Sequence, residues 1–73
     1  MMARIKKWTN NDKINEMLAR CEQQGWRIVD GGKHVKAYPP DKTMEIVTVA
    51  KTPSDHRAPE NTRRDLRHSG ADL

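Results

Sequence analysis

The sequence predicts one small α+β domain whose elements follow the order helix, strand, strand, strand, helix (α-β-β-β-α). Three observations indicate this order: apolar residues at helical spacing near the N-terminus, two strand-like segments around a Gly-Gly turn, and a β-branched segment followed by a proline-led final helix. The chain has 73 residues, enough for a single domain and too few for a second core. We expect an ordered core at about 9–70, a basic lead-in at 1–8 and a frayed tail at 71–73.

The first helix is expected at about residues 10–24. Thr9 can accept hydrogen bonds from the unpaired N–H groups at the helix start, and Asp12 three residues later completes a capping-box pattern. Gly25 should end the helix, because glycine tolerates the left-handed conformation that follows a helix C-terminus. The apolar stripe, at spacing i, i+3, i+4 and i+7, consists of Ile14, Met17, Leu18 and Cys21.

A β-hairpin should follow, with strands at 26–30 and 33–38 and with Gly31 and Gly32 as the two central residues of the turn. Glycines accept the positive φ angles that such turns require. Directly opposed residues lie on the same face of a sheet, so the turn also fixes the faces. The expected pairs are Asp30–Lys33, Val29–His34, Ile28–Val35, Arg27–Lys36 and Trp26–Ala37.

This pairing gives the hairpin two different faces. The face that should pack on the core is apolar and consists of Trp26, Ile28, Val35 and Ala37. The opposite face is basic, carries a histidine and consists of Arg27, Val29, His34, Lys36 and Tyr38.

The last two elements are a third strand at 44–50 and a helix at about 59–69. The strand is rich in β-branched residues, but its alternation is too poor to indicate which side faces the core. The helix begins with Pro59, which fits the first turn, and its thin apolar stripe depends mainly on Leu66. Its basic side chains, which should point away from that stripe, are Arg63, Arg64, Arg67 and His68.

Composition and charge narrow the class of protein. The formal charge is +4, from 14 Lys+Arg against 10 Asp+Glu, which favours polyanionic partners but also fits a merely solvated surface. The single cysteine, Cys21, cannot form an internal disulfide, and we expect a reducing, cytoplasmic location. No apolar run approaches the ~18–20 residues of a membrane span, so no membrane partner is expected.

Several motifs occur in an order that resembles a known family. A helix that ends in Gly25-Trp26 precedes a strand, the segment Gly-Gly-Lys-His-Val-Lys at 31–36, Ile-Val-Thr-Val at 46–49, and Leu-Arg-His-Ser-Gly at 66–70. Over roughly residues 12–70 this order resembles the HicA family of toxin endoribonucleases. The most specific part is the glycine turn followed by a histidine with a basic residue two positions later.

The resemblance implies a double-stranded-RNA-binding-domain-like fold, with both helices on one face of a three-stranded antiparallel sheet. It also implies cleavage of messenger RNA (mRNA) by a single histidine, without a metal or a small-molecule cofactor, and neutralisation by a HicB-like antitoxin protein. The family's functional histidine corresponds to His34.

His34 also suits RNA cleavage on chemical grounds. RNA carries its own nucleophile, the 2′-OH, and an imidazole can take up its proton near neutral pH. Arg27 and Lys36, expected beside His34 on the same face, would attract the phosphate and stabilise its developing charge. The alternative is that His34 is an ordinary exposed strand residue and that the cations only keep the sheet soluble.

Further candidates for RNA contact have weaker support. Tyr38 could stack on an unpaired base, and the arginines of the last helix either hold phosphates or only solvate the helix. Trp26 and Cys21 are better explained as core residues. No metal site is expected, because no Cys-x₂-Cys or His-x₃₋₅-His spacing occurs. The full set of RNA-binding candidates besides His34 is Lys36, Arg27, Lys33, Tyr38, Arg63, Arg64 and Arg67.

The leading hypothesis is therefore a HicA-like RNA endonuclease. One rival is a non-catalytic RNA-binding module of the same fold. The other is a protein-interaction domain whose basic face docks an acidic, antitoxin-like partner. The first two hypotheses predict salt-sensitive RNA binding, and the third does not.

Overall fold

A computed structural model describes residues 7–52 and 56–73 of the chain. Its five elements confirm the predicted α+β class and element order. The strands form one antiparallel sheet in the order β1-β2-β3. Residues 1–6 of the predicted lead-in and the loop residues 53–55 lie outside the described part. The bounds of the elements are α1 Asp12–Gln23, β1 Arg27–Asp30, β2 His34–Tyr38, β3 Val47–Ala50 and α2 Ala58–His68.

Helix α1 begins two residues later than predicted, because its N-cap is Asn11 and not Thr9. The Asn11 side-chain oxygen accepts a hydrogen bond from the Ile14 N–H at 3.1 Å, which satisfies one of the unpaired donors of the first turn. The Thr9 hydroxyl instead accepts the Asn11 N–H at 3.1 Å and donates to the carboxamide oxygen of Asn15 at 3.0 Å. Thr9 therefore holds the segment before the helix and does not cap the helix itself.

The core lies between the sheet and the two helices, which pack on the same sheet face. Four side chains of the helices are at most 1% exposed, namely Ile14, Leu18, Cys21 and Leu66, and burying each large apolar side chain contributes about 1.5–3 kcal/mol. The orientation of β3, which the sequence left open, has Val47 and Val49 inward. The other buried apolar residues of this core are Trp8, Trp26, Val35, Ala37 and Ala71.

The turn of the hairpin differs from the predicted one. Its central residues are Gly32 and Lys33, because the Gly31 N–H donates to the His34 carbonyl at 2.8 Å. Of the two glycines at the turn, Gly32 has the positive φ, at +92°, and its N–H donates to the Asp30 carboxylate at 3.0 Å. The resulting strand pairs are Arg27–Tyr38, Ile28–Ala37, Val29–Lys36 and Asp30–Val35.

This register slides one strand by two residues relative to the prediction. Because side chains alternate with a period of two, each strand residue keeps its predicted face. The partners change, however: Arg27 lies opposite Tyr38, and Lys36 lies opposite Val29. The predicted pairing of Arg27 with Lys36 is wrong.

The C-terminal residues are docked and not frayed as predicted. Ala71 is 7% exposed, and Leu73 packs against the core. The side-chain amide of Gln24 makes two hydrogen bonds to the backbone of Asp72, one from the Asp72 N–H at 2.8 Å and one to its carbonyl at 2.7 Å. The end of α1 therefore holds the last residues of the chain in place.

Candidate nucleic-acid interface

The two helices leave the opposite side of the sheet uncovered within the described part of the chain. Seven strand residues point to this side, which we call the outer face. Tyr38 is half-buried, and the rest are exposed. The members of the outer face are Arg27, Val29, His34, Lys36, Tyr38, Thr48 and Ala50.

The outer face carries cations but no carboxylate. The only acidic residue in the three strands is Asp30, and it lies opposite the buried Val35, on the helix side of the sheet. Its charge is compensated by Lys51, whose ammonium group lies 2.8 Å from the carboxylate. A surface of this kind attracts polyanions, because the strand residues that form it include no fixed negative charge.

His34 is the first residue of β2 and is exposed. Its neighbour across one side is Gly31, which donates a backbone hydrogen bond to it, and its partner across the other side is Ala50. Neither neighbour has a side chain larger than a methyl group. The imidazole is therefore accessible from both sides along the outer face.

Two lysines lie near this histidine. Lys36 is two residues along β2 on the same face, about 7 Å away at the rise of a strand. Lys33 precedes His34 in the turn and is exposed. In the described part of the chain neither lysine forms an ion pair, so both ammonium groups can approach a phosphate next to the imidazole.

Arg27 does not belong to this group. Its partner Tyr38 is four residues from His34 along β2, a distance of about 13 Å. The expectation that Arg27 flanks the imidazole is therefore wrong. Arg27 and Tyr38 instead form a separate pair at the other end of the outer face.

The α2 arginines lie on the helix side of the sheet, pointing away from the core as predicted. A groove of about 430 Å³ between β3 and α2 is lined by Arg64 and by Thr48, which lies at the edge of the outer face, together with Glu45 and Asp65. Arg63 instead lines a groove between the two helices together with Glu16 and Glu60. Arg64 therefore borders the edge of the outer face, and its guanidinium also lies 3.8 Å from the Asp65 carboxylate. Arg63 and Arg64 share a further groove on α2 with Arg67. All three arginines of this helix are exposed, namely Arg63, Arg64 and Arg67.

Thr48 and Ala50 are members of the outer face that the sequence did not identify. Thr48 lies opposite Lys36, and Ala50 lies opposite His34. The sequence signal for their orientation is the pair Val47 and Val49, two apolar residues at strand spacing. This pattern is only two residues long, and the exposed Ile46 just before it obscures the alternation.

Among the described residues, neither the cysteine nor a cluster of metal-binding side chains offers a second reactive centre. Cys21 is fully buried, and burial raises the pKa of its thiol to about 11, so it stays protonated and unreactive. Among residues 7–52 and 56–73, no three His, Cys, Asp or Glu side chains are grouped so as to hold a metal ion. Over the same residues, neither helix has the length and apolar composition needed to cross a bilayer.

Comparison with known proteins leaves the function to be inferred from these residues alone. The chain matches no protein-family model, no curated protein sequence and no solved structure.

Proposed function

We propose that the chain is a HicA-like RNA endonuclease that acts in the cytoplasm and cleaves mRNA on the outer face, with His34 as the general base. One observation carries this proposal: an exposed histidine lies between a glycine and an alanine on a sheet face that has cations and no carboxylate. Such a face attracts the phosphodiester backbone and lets the imidazole approach a 2′-OH. The order of motifs shared with HicA toxins supports the same class of reaction.

The reaction uses the nucleophile that RNA itself carries. His34 takes the proton of the 2′-OH while the 2′-oxygen forms a bond to the adjacent phosphorus. The bond between phosphorus and the 5′-oxygen breaks, and that oxygen takes up a proton from the imidazolium or from water. The products are one RNA end with a 2′,3′-cyclic phosphate and one with a 5′-hydroxyl.

Lys36 and Lys33 stabilise the charge that develops on the phosphate. Both are exposed and close to His34 in sequence and space. A lysine ammonium acts as a hydrated point charge on a flexible stem and not as a rigid fork. The two lysines can therefore follow the phosphate as its geometry changes during the reaction.

The test compares cleavage with affinity in His34→Ala. Loss of a general base should slow cleavage by about 10²–10⁴-fold, while the lysines preserve most of the RNA affinity. Single-turnover cleavage of labelled RNA and fluorescence anisotropy measure the two quantities. His56→Ala is the matched control, because His56 is exposed but lies in the groove between the helices, and it should cleave like the wild type.

Each outcome separates the three hypotheses. Equal cleavage by the wild type and His34→Ala would exclude His34 as the base. Salt-sensitive RNA binding without any cleavage would identify a binding module of the same fold. If the wild type binds no RNA, the protein-interaction domain that docks an acidic, HicB-like partner becomes the better explanation.

A further inference from the structure

We infer that Arg27 and Tyr38 form a subsite that binds one unpaired RNA base, away from the phosphate that is cleaved. This inference rests on the proposed function and adds the class of RNA that the outer face accepts. Arg27 and Tyr38 are direct partners in the ladder between β1 and β2, and opposed residues on one sheet face have Cβ atoms about 4.5–5.5 Å apart. The two side chains therefore leave the sheet from adjacent points on its outer face.

Both side chains are available to a ligand. Arg27 is exposed and forms no ion pair within the described residues. Tyr38 is half-buried, so part of its ring is held by the protein and part remains accessible. Aromatic rings and arginine planes are the groups on which proteins stack nucleic-acid bases, and here one of each occupies directly opposed positions of the sheet.

A pair of this kind selects unpaired RNA. In a duplex the faces of the bases are covered by their stacked neighbours, and proteins contact the phosphates and 2′-OH groups instead. A flat sheet surface with two stacking side chains needs a base that is turned out of any stack. The substrate is therefore a single-stranded segment or loop, even though the element order is that of a double-stranded-RNA-binding domain.

The spacing along β2 separates base binding from cleavage. Tyr38 and His34 are four residues apart on β2, about 13 Å at the rise of a strand. Base binding and cleavage therefore take place at opposite ends of this strand. Lys36 lies midway between the two residues on the same strand and is placed to hold a phosphate of the connecting nucleotides.

The experiment measures affinity in a His34→Ala background, where RNA stays intact. One labelled RNA is used alone and as a duplex with its complement, and binding is followed by fluorescence anisotropy. Tyr38→Ala should weaken binding of the single strand by about 5- to 150-fold and change duplex binding little. Tyr38→Phe, which keeps the ring, should restore most of the affinity, a result that loss of a hydroxyl contact would not give.

Arg27→Gln provides a second, independent variant, because Arg27 is exposed and its replacement should leave the fold intact. Arg27→Gln should also weaken binding of the single strand more than binding of the duplex. This result tests the subsite by itself if Tyr38→Ala does not fold. The subsite would be overturned if the protein bound single strand and duplex equally well, or if both variants kept the full affinity for the single strand. Cleavage by the wild type would still support the proposed function in that case. If the wild type neither bound nor cleaved RNA, the proposed function would fail first, and the subsite with it.

Discussion

Ala50 lies directly opposite His34 in the ladder between β2 and β3, and both side chains are exposed on the outer face. A larger side chain at position 50 would occupy the space beside the imidazole, because opposed Cβ atoms are about 4.5–5.5 Å apart. We expect Ala50→Ile to slow cleavage by roughly 10- to 100-fold by displacing the RNA. Single-turnover cleavage measures the effect.

The fold should tolerate this change, since isoleucine favours strands more than alanine does, and a thermal melt checks it. Ala50→Ser is the small-residue control and should cleave at the wild-type rate. Full activity of Ala50→Ile would mean that RNA does not approach His34 across β3.

Arg64 and Arg63 are adjacent on α2 and share one groove with Arg67, but each also borders a groove that the other does not line. Arg64 lines a groove that reaches Thr48 at the edge of the outer face, whereas Arg63 lines a groove between the helices with Glu16 and Glu60. Arg64→Glu should therefore remove a phosphate contact and reduce the slope of log affinity against log salt by about 0.7–0.9. Arg63→Glu, with the same change in net charge, should leave the slope nearly unchanged.

Anisotropy titrations at several salt concentrations give both slopes. The comparison separates a local contact from a general effect of charge, since both arginines are exposed on the same helix. Equal reductions for the two variants would contradict the assignment of Arg64 to the RNA path.

The hairpin shows what the sequence can and cannot determine. Alternation predicts correctly that Val35 and Ala37 face the core and that His34 and Lys36 face outward. It cannot choose between two turns that differ by a slide of two residues, because both keep every side chain on the same face. In the observed turn the Asp30 carboxylate accepts a hydrogen bond from the Gly32 N–H and also binds Lys51, a residue 21 positions away. Local sequence patterns do not contain this second contact.

For the candidate site as well, the sequence predicts which face each side chain occupies but not which residues pair across strands. One strand, β2, provides His34, Lys36 and Tyr38, so alternation within that strand is sufficient to group them. The position of Arg27 depends on the register between strands, and local sequence patterns do not contain that information. The docked C-terminus was missed for a similar reason, since it depends on a contact between α1 and a residue 48 positions later.

Gln24 should contribute to stability through its two hydrogen bonds to the backbone of Asp72. Because both partners are exposed, each bond is worth about 0.5–1.5 kcal/mol at most. We expect Gln24→Ala to lower the free energy of unfolding by about 1 kcal/mol and to speed hydrogen exchange of the Asp72 amide. Urea denaturation and amide exchange measure the two effects.

Gln23→Ala is the matched control for this prediction. Gln23 is the last residue of α1 and is exposed, so its replacement should change stability by less than about 0.5 kcal/mol. Equal effects of the two variants would mean that helix propensity, and not the contact with Asp72, accounts for the loss.

Cys21 should make the stability of the domain depend on alkaline pH. Burial raises the pKa of its thiol from 9.0 to about 11, so the unfolded chain releases this proton at a lower pH than the folded chain does. Below the unfolded pKa both states hold the proton, and the contribution of the thiol is fully present. As the pH rises from 9 towards 11, the unfolded state gains from ionisation, and the free energy of unfolding falls by up to ~1.4 kcal/mol per pH unit for this one proton.

The informative quantity is the difference in stability between the wild type and Cys21→Ala, because it cancels every pH effect that the two proteins share. That variant loses some core packing at every pH, but it lacks the ionisation. Urea denaturation between pH 8 and 11, with a reductant present, should show that the advantage of the wild type over Cys21→Ala shrinks as the pH rises. A constant difference across this range would mean that the thiol ionises as readily in the folded domain as in the unfolded chain, which is incompatible with its burial beneath the sheet.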